Sequence, residues 1–548
     1  MKNASRRSFL KLAAASLGAT AVGNLVGCGA AGSAADAGPD AGGTEGGPST
    51  SSTKKPNILL IVVDQERSPI FSPKNLSLTY HEKLVAQGTS FDLHHANAMP
   101  CTPSRSVLYT GQHVQQTRMV NNIGPTQGSM STKLPTLGSM LKDIGYRTAY
   151  FGKWHLSSID AGDNCSKPTT EALVPYGFDV YNRCGDLQGN VMSGYKDDPG
   201  VADSTLEWLG KQSPSDASWF LSVDFVNPHD VMFYYPGGFA APGVRTFGFD
   251  APDDPLYKAQ WDITLPPHYN EDLSSKPPAQ IAYARLYDTF QRYVDGPRGI
   301  EARQAFVNYY FNCLRDVDRH MGRVLDALAK SPFADNTIVV FTSDHGEFAF
   351  SHGLRGKGPS IYKENNHVPL SFMGPGIPKG AHVRGLSSHV DLAPTLLALG
   401  GQTLGQSREK YPALKGVDLS ASVRSPSTPT TRSDLLMCFD FGGTTDISLA
   451  GPGAPDTTSD ARRPFLRGIA DGRYKFARYF ASSDYHVPTT WTELLERNDL
   501  ELYDLTTDPT EVVNLAKDPE AHKALIEGLN AKLNALVNGE AGGEIKNT

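Results

Sequence analysis

Short apolar runs that stop on polar residues are the strongest pattern along this chain. Asn57 leads into Ile58-Leu59-Leu60-Ile61-Val62-Val63, unbroken as a strand buried on both faces requires, and the run ends at Asp64-Gln65. Leu134, Leu137, Met140, Leu141 and Ile144 recur at three- and four-residue spacing, predicting a helix over 133–144. Gly145 then breaks the pattern before a strand over 146–151. Residues 220–226 and 337–341 read as two further buried strands, and the second again runs into polar residues, Ser343-Asp344-His345. Between them, Phe306, Tyr310, Cys313, Val317, Met321, Val324 and Leu328 mark one face of a long amphipathic helix over 302–330. Strands alternating with helices predict an α/β fold, a mixed but mostly parallel sheet with helices on both faces. Such sheets bind ligands outside the carboxyl ends of their strands, so the polar residues there are the first candidates for chemistry.

The two ends of the chain have a different texture. Residues 1–28 begin with charge and pass into an Ala/Gly/Leu run too short to span a bilayer comfortably. Ser5-Arg6-Arg7-Ser8-Phe9-Leu10-Lys11 resembles a twin-arginine export signal, and Leu25-Val26-Gly27-Cys28 resembles a lipobox, in which Cys28 would be acylated. These resemblances imply a lipoprotein exported to the periplasm or cell surface and held there by lipid on Cys28. Residues 29–55 lack large apolar side chains and read as a flexible linker. The main α/β unit is expected over 56–425 and a smaller C-terminal α+β unit over 426–548. The latter opens with a linker-like SPSTPTTRS (425–433), followed by a hairpin over 465–479 around Asp471-Gly472 and a helix over 519–537. Residues 231–300, rich in Pro, Tyr and Phe, read as loops over a pocket mouth.

Composition narrows the class without choosing a function. The 548 residues exceed the roughly 250–300 at which one hydrophobic core stops growing, so two or more packed units are expected. A net charge of −7 with 39% hydrophobic residues excludes a basic nucleic-acid binder and a polytopic membrane protein. Six cysteines are too few for a disulfide framework, although Cys165 and Cys184 lie in one polar segment and could pair in an oxidising compartment.

Cys101-Thr102-Pro103-Ser104-Arg105 carries the most specific signal. Proline in a first turn suits a helix start, and Ser106 to Thr110 continue a short helix as far as Gly111. CTPSRSVLYTG (101–111) resembles the sulfatase motif Cys-x-Pro-Ser-Arg, in which the cysteine is oxidised to formylglycine. Six other segments fall in that family's order: NILLIVVDQ (57–65), FGKWHL (151–156), VNPHD (226–230), FTSDHGE (341–347), GKGPSIYKENNHVPL (356–370) and ELYDLTTDPTEVVNLA (501–516). Tyr109 and Gln112 depart from the Leu-Thr-Gly-Arg that commonly completes the motif. The resemblance implies an alkaline-phosphatase-like α/β domain with a smaller C-terminal sheet domain, hydrolysis of a sulfate monoester, and a formylglycine-generating maturation enzyme as partner.

The same resemblance implies residue roles. Asp64, modified Cys101, Asp344 and His345 would ligate one divalent metal, and hard oxygen ligands point to Ca²⁺. Gln65 stands where many sulfatases have a second Asp, and His345 where many have Asn. An imidazole suits transition metals better, which makes Mn²⁺ the rival ion. The Gln65 carbonyl is left open as ligand or bystander. Arg105 would hold the formylglycine hydroxyl and balance charge, and Lys153 would bind sulfate oxygens. His155 would take the hydroxyl proton; it shares one side of an extended segment with Lys153 if side chains alternate there. His229 and Lys357 would hold the sulfate and protonate the leaving oxygen, with Lys363 competing for the role of Lys357. His94, His95, His113, His352, His367 and His389 read as loop or packing residues.

Water attacks sulfate esters poorly, so a covalent route helps. Hydrated formylglycine offers two geminal hydroxyls, one to attack sulfur and one whose deprotonation releases sulfate. The alternatives are a phosphonate monoester or phosphodiester hydrolase, which the Asp64-Gln65 pair favours, and a non-catalytic lipoprotein that binds sulfated glycans. Aryl, sugar and choline sulfates remain equally open as substrates.

Overall fold

A computed structural model of the protein describes residues 54–68, 72–236, 249–294, 296–441 and 463–546. The export signal, Cys28 and nearly all of the linker lie outside the described residues. In chain order the strands are β1 (Asn57–Asp64), β2 (Thr89–His95), β3 (Ala98–Met99), β4 (Arg147–Gly152), β5 (Trp219–Pro228), β6 (Thr337–Ser343), β7 (Leu370–Met373), β8 (Ala381–Ser388), β9 (Leu435–Phe439), β10 (Phe465–Ala470), β11 (Tyr474–Phe480) and β12 (Asp499–Asp504). The main sheet has the order β4-β5-β1-β6-β7-β2-β8. Its strands are parallel except β7, which runs antiparallel to both β6 and β2.

The apolar runs form the strands for the reason their composition suggests. Every residue of β1 is buried, and alternate side chains face opposite layers. Ile58, Leu60 and Val62 join a core with Leu137, Met140 and Leu141 of the helix Leu137–Asp143 and with the helix Leu392–Leu399. Leu59, Ile61 and Val63 pack on Val317, Met321 and Val324 of the helix Pro297–Ala329 and on Val201 and Leu209 of the helix Ser193–Gly210. Cys313 lies buried on that long helix, in a third apolar cluster.

β1 sits between β5 and β6, so the carboxyl ends of β1, β4, β5 and β6 all open on one edge. Asp64 ends β1, Lys153 and His155 follow β4, His229 follows β5, and Asp344 and His345 follow β6. This edge is where an α/β sheet places its ligands.

A second sheet, β12-β11-β10-β9-β3, is antiparallel among β9–β12 and lies under the helix Lys523–Gly539, whose Ile526, Leu529, Leu533 and Val537 pack on Leu436, Ile469 and Phe476. Its fifth strand comes from far away in sequence. β3 pairs in parallel with β9, Ala98 opposite Cys438 and Met99 opposite Phe439, two residues before Cys101.

One expectation needs correction, and another gains a detail. Residues 231–300 are not loops alone, because Pro278–Gln291 is a helix that packs Ala279 into the core beneath the second sheet. The linker-like 425–433 is tied down: Arg432 is buried, with Nη2 2.6 Å from Asp391 and Nη1 3.1 Å from Glu540. Cys165 and Cys184 are disulfide-bonded, with Cα atoms 5.2 Å apart.

Candidate active site

Cys101 opens the helix Cys101–Thr110 and is buried at the sheet edge. Four groups converge on its sulfur: Lys357 Nζ at 3.2 Å, His345 Nε2 at 3.2 Å, Lys153 Nζ at 3.7 Å and Asp64 Oδ1 at 3.8 Å. Burial, and then the Asp64 charge, push the Cys101 thiol up to about 12. It therefore stays protonated at neutral pH and is a poor nucleophile as an unmodified cysteine.

Asp64, Cys101, Asp344 and His345 are all buried, and one ligand atom from each lies within 4.8 Å of the others. The donor set fits a divalent cation. The His345 Nδ1–H donates to the Gly346 carbonyl at 3.0 Å, which turns the Nε2 lone pair toward Asp344 and Cys101. Burial holds His345 below its ordinary pKa, so the imidazole is neutral and able to ligate. Burial alone would raise the pKa of Asp64, but Lys153, His229, Lys357 and Arg105 together hold it well below the usual carboxylate range.

Arg105 does not reach for Cys101. It is fully buried, and its nitrogens hold three carboxylates: Asp344 at 2.9 Å, Asp224 at 2.9 Å and Asp64 at 3.3 Å, with the Lys153 carbonyl at 2.7 Å. The expected charge balance is present, and the guanidinium also sets the spacing of the three carboxylates. Its planar fork suits that task as a lysine could not.

Lys153 reaches Asp64 at 2.6 Å. The extended segment expected for Lys153 and His155 is absent, because β4 ends at Gly152 and His155 has a φ of +56°. Gly152 itself has a φ of +109°, and an added Cβ would sit 1.8 Å from the Asp224 carbonyl. Asp186 captures the Trp154 and His155 amides at 2.9 and 2.8 Å, and Thr102 donates to the His155 carbonyl at 2.7 Å, which fixes His155 beside the Cys101 helix. Burial first, then Lys153, holds both His155 and His229 well below the ordinary histidine pKa. Both rings are neutral, and Nδ1 of each has no hydrogen-bond partner.

Lys357 sits between Gln65 Oε1 at 2.8 Å and Met232 Sδ at 3.1 Å. Lys363 is excluded from this place, since its Nζ donates to the Pro509 carbonyl. Gln65 is held by two buried partners. Its amide donates to Glu347 and its carbonyl accepts from Lys357, so it relays a buried carboxylate to the lysine. Tyr283, in the helix Pro278–Gln291, donates to the Lys357 carbonyl at 2.8 Å from the other side.

Asp224, Tyr109 and Glu347 complete the site and were not anticipated. Tyr109 donates to Asp224 at 2.7 Å, and burial lifts Asp224 to about 6. The available signal was a lone carboxylate inside the apolar run of β5. The bystander histidines stay outside the sulfur's contacts, although His389 reaches Ser104 at 3.2 Å behind the Cys101 helix.

A parallel sheet that presents carboxylates, an imidazole and lysines around a residue at a helix start defines an alkaline-phosphatase-like hydrolase. The sequence profile of the Sulfatase family matches residues 56–402, and the chain belongs to that family, the sulfuric ester hydrolases. It is similar to the Delta 4,5-hexuronate-2-O-sulfatase of Bacteroides thetaiotaomicron, 26% identical over 88% of this chain and 89% of that protein. Among solved structures, a 2-O GAG sulfatase matches with a TM-score of 0.64 and 22% identity, over 89% of this chain and 93% of that one. The phosphonate monoester hydrolase of Agrobacterium radiobacter has the same fold, with a TM-score of 0.62 and 21% identity over 88% and 95% of the two chains.

Proposed function

We propose that the protein hydrolyses a sulfate monoester on a sugar, with formylglycine made from Cys101 and one divalent cation. The observation that carries this reading is the convergence of Lys153, Lys357, Asp64 and His345 on the Cys101 sulfur. Asp64, Asp344, His345 and modified residue 101 would hold the cation, which polarises bound oxygen and favours its deprotonated form. Hydrated formylglycine supplies an attacking hydroxyl and a second hydroxyl that permits release of sulfate. Lys153 and Lys357 hold sulfate oxygens, and Gln65 keeps the Lys357 ammonium aimed at them. His155, neutral at physiological pH, accepts the hydroxyl proton at a ring nitrogen. His229 donates a ring N–H to the sulfate, and Lys357 gives a proton to the leaving oxygen.

The sugar assignment is supported by the likeness to the hexuronate sulfatase. The test is turnover of a panel of sulfated saccharides beside choline sulfate and an aryl sulfate. Preference for a saccharide is expected, and preference for choline sulfate overturns the sugar assignment. The second reading, a phosphonate monoester hydrolase, is favoured by Gln65 and the shared fold. A higher kcat/KM for an aryl phosphonate than for the matching aryl sulfate would establish it. After metal stripping, Ca²⁺ is expected to restore activity, and recovery with Mn²⁺ alone transfers the assignment to manganese. We also propose export as a folded, already matured lipoprotein, motivated by Arg6-Arg7 and Cys28. Replacing both arginines with lysine is expected to trap active enzyme inside the cell, and unchanged export would remove the proposal.

A further inference from the structure

A second group of ligating side chains lies apart from the residues of the active site. His268, His352 and Glu364 are buried, and one ligand atom of each lies within 4.8 Å of the other two. They come from three segments: the 231–300 insertion, the turn Ser351–Gly353 after β6, and the short helix Lys363–Asn366. We propose that these three residues bind a borderline divalent cation, zinc by preference, as a structural clamp.

Several observations point to a ligand. Glu364 is fully buried, yet neither carboxylate oxygen has a hydrogen-bond partner. A buried carboxylate in that state calls for a counter-charge. Each oxygen instead faces an imidazole, Oε1 3.9 Å from His268 Nε2 and Oε2 3.7 Å from His352 Nε2. These separations are too long for hydrogen bonds, whereas ligands about 2 Å from a shared zinc ion lie roughly 3–4 Å apart.

The His352 ring is set as a metal-bound imidazole requires. Its Nδ1 pairs with Glu271 Oε2 at 2.6 Å, and its face stacks on Tyr362 with centroids 3.7 Å apart and planes at 8°. A carboxylate behind one nitrogen directs the other nitrogen's lone pair to a metal. That second nitrogen, Nε2, has no hydrogen-bond partner. Lys276 balances Glu271 at 2.9 Å, while Glu364, among the described residues, has only the two imidazoles facing its oxygens directly. Two imidazoles and one carboxylate form a characteristic zinc donor set.

Lys357 lies in sequence between His352 and Glu364, so a metal here would pin both ends of the segment that presents it. It would also fasten the insertion, through His268, to that segment.

The test uses the full chain, loaded with zinc, desalted and analysed for metal by mass spectrometry. The wild type is expected to retain one more zinc per chain than His268→Asn. A His345→Ala variant, altered only at the active-site cluster, should keep that zinc. Equal zinc in wild type and His268→Asn, both with native circular dichroism, overturns the proposal and leaves a plain histidine–glutamate ion pair. Should His268→Asn fail to fold, Co²⁺ added to the His345→Ala protein decides the matter. Visible d–d bands of low-coordinate cobalt that zinc displaces support the site, and their absence overturns it.

Discussion

At the residue scale, Arg105 joins three buried carboxylates. Its guanidinium is the shared counter-charge of Asp64, Asp224 and Asp344, all fully buried. Removing one partner of a buried ion pair costs ~3–5 kcal/mol, because the other charge stays buried. Arg105→Leu is expected to lose at least that much, read as a lowered urea midpoint. Gln65 acts through Lys357, and losing such an outer partner typically reduces activity 10–100-fold. Gln65→Ala is expected to lower kcat in that range with little change in the melting temperature, and an unchanged kcat would remove the relay. His155 sets a pH signature. Burial and Lys153 depress its pKa, so it remains an unprotonated base at every pH above that depressed value. The kcat/KM profile should be flat from pH 8 down through the ordinary histidine value of 6.5 and fall only below it. An acid limb centred at or above 6.5 would take the base role from His155. The nine residues singled out from sequence lie at or near one edge of the main sheet, because a strand end carries its polar residues there. Sequence missed Asp224 and Glu347, whose parts depend on Arg105 and Gln65 reaching them across the fold.

At the element scale, apolar runs and helical spacing were enough to predict β1, β4, β5, β6, the hairpin β10–β11 and the long helix close to their observed bounds. The helix Pro278–Gln291 escaped although Ala279, Ala282, Leu286 and Tyr287 recur at helical spacing, because the Pro-rich residues around it read as loop; it is held by partners such as Glu501 and Tyr362 on Gln280. The loop-rich segment before β5 is fastened differently, by Cys165–Cys184 at a sequence separation of 19. Closing a loop of that length stabilises by about 3 kcal/mol through the unfolded chain. Cys184→Ser should lower the unfolding free energy by up to that amount, measured by urea titration without reductant. A change below about 0.5 kcal/mol would mean that the segment is ordered without the bridge.

At the scale of the whole molecule, the C-terminal sheet reaches the candidate active site. β3 lies two residues before Cys101 and completes that sheet, so the residues leading to Cys101 are fixed from the C-terminal side. Lys276 on Tyr503, Gln280 on Glu501 and Arg432 on Asp391 and Glu540 join the same parts through buried polar contacts. A chain truncated after Arg424 would leave these partners and the β3 edge uncovered. It is expected to be insoluble or inactive, and a soluble, active truncation would show that the first sheet stands alone.

The sequence by itself determined most of the elements, the α/β class and the family, because burial on two faces and the Cys101–Arg105 motif are local properties. Only the tertiary structure decided which residues meet. Arg105 became a spacer of carboxylates, Gln65 a relay to Lys357, and His268, His352 and Glu364 a cluster. These assignments rest on contacts between residues tens to hundreds of positions apart, and through-space electrostatics leaves no periodic mark along a chain.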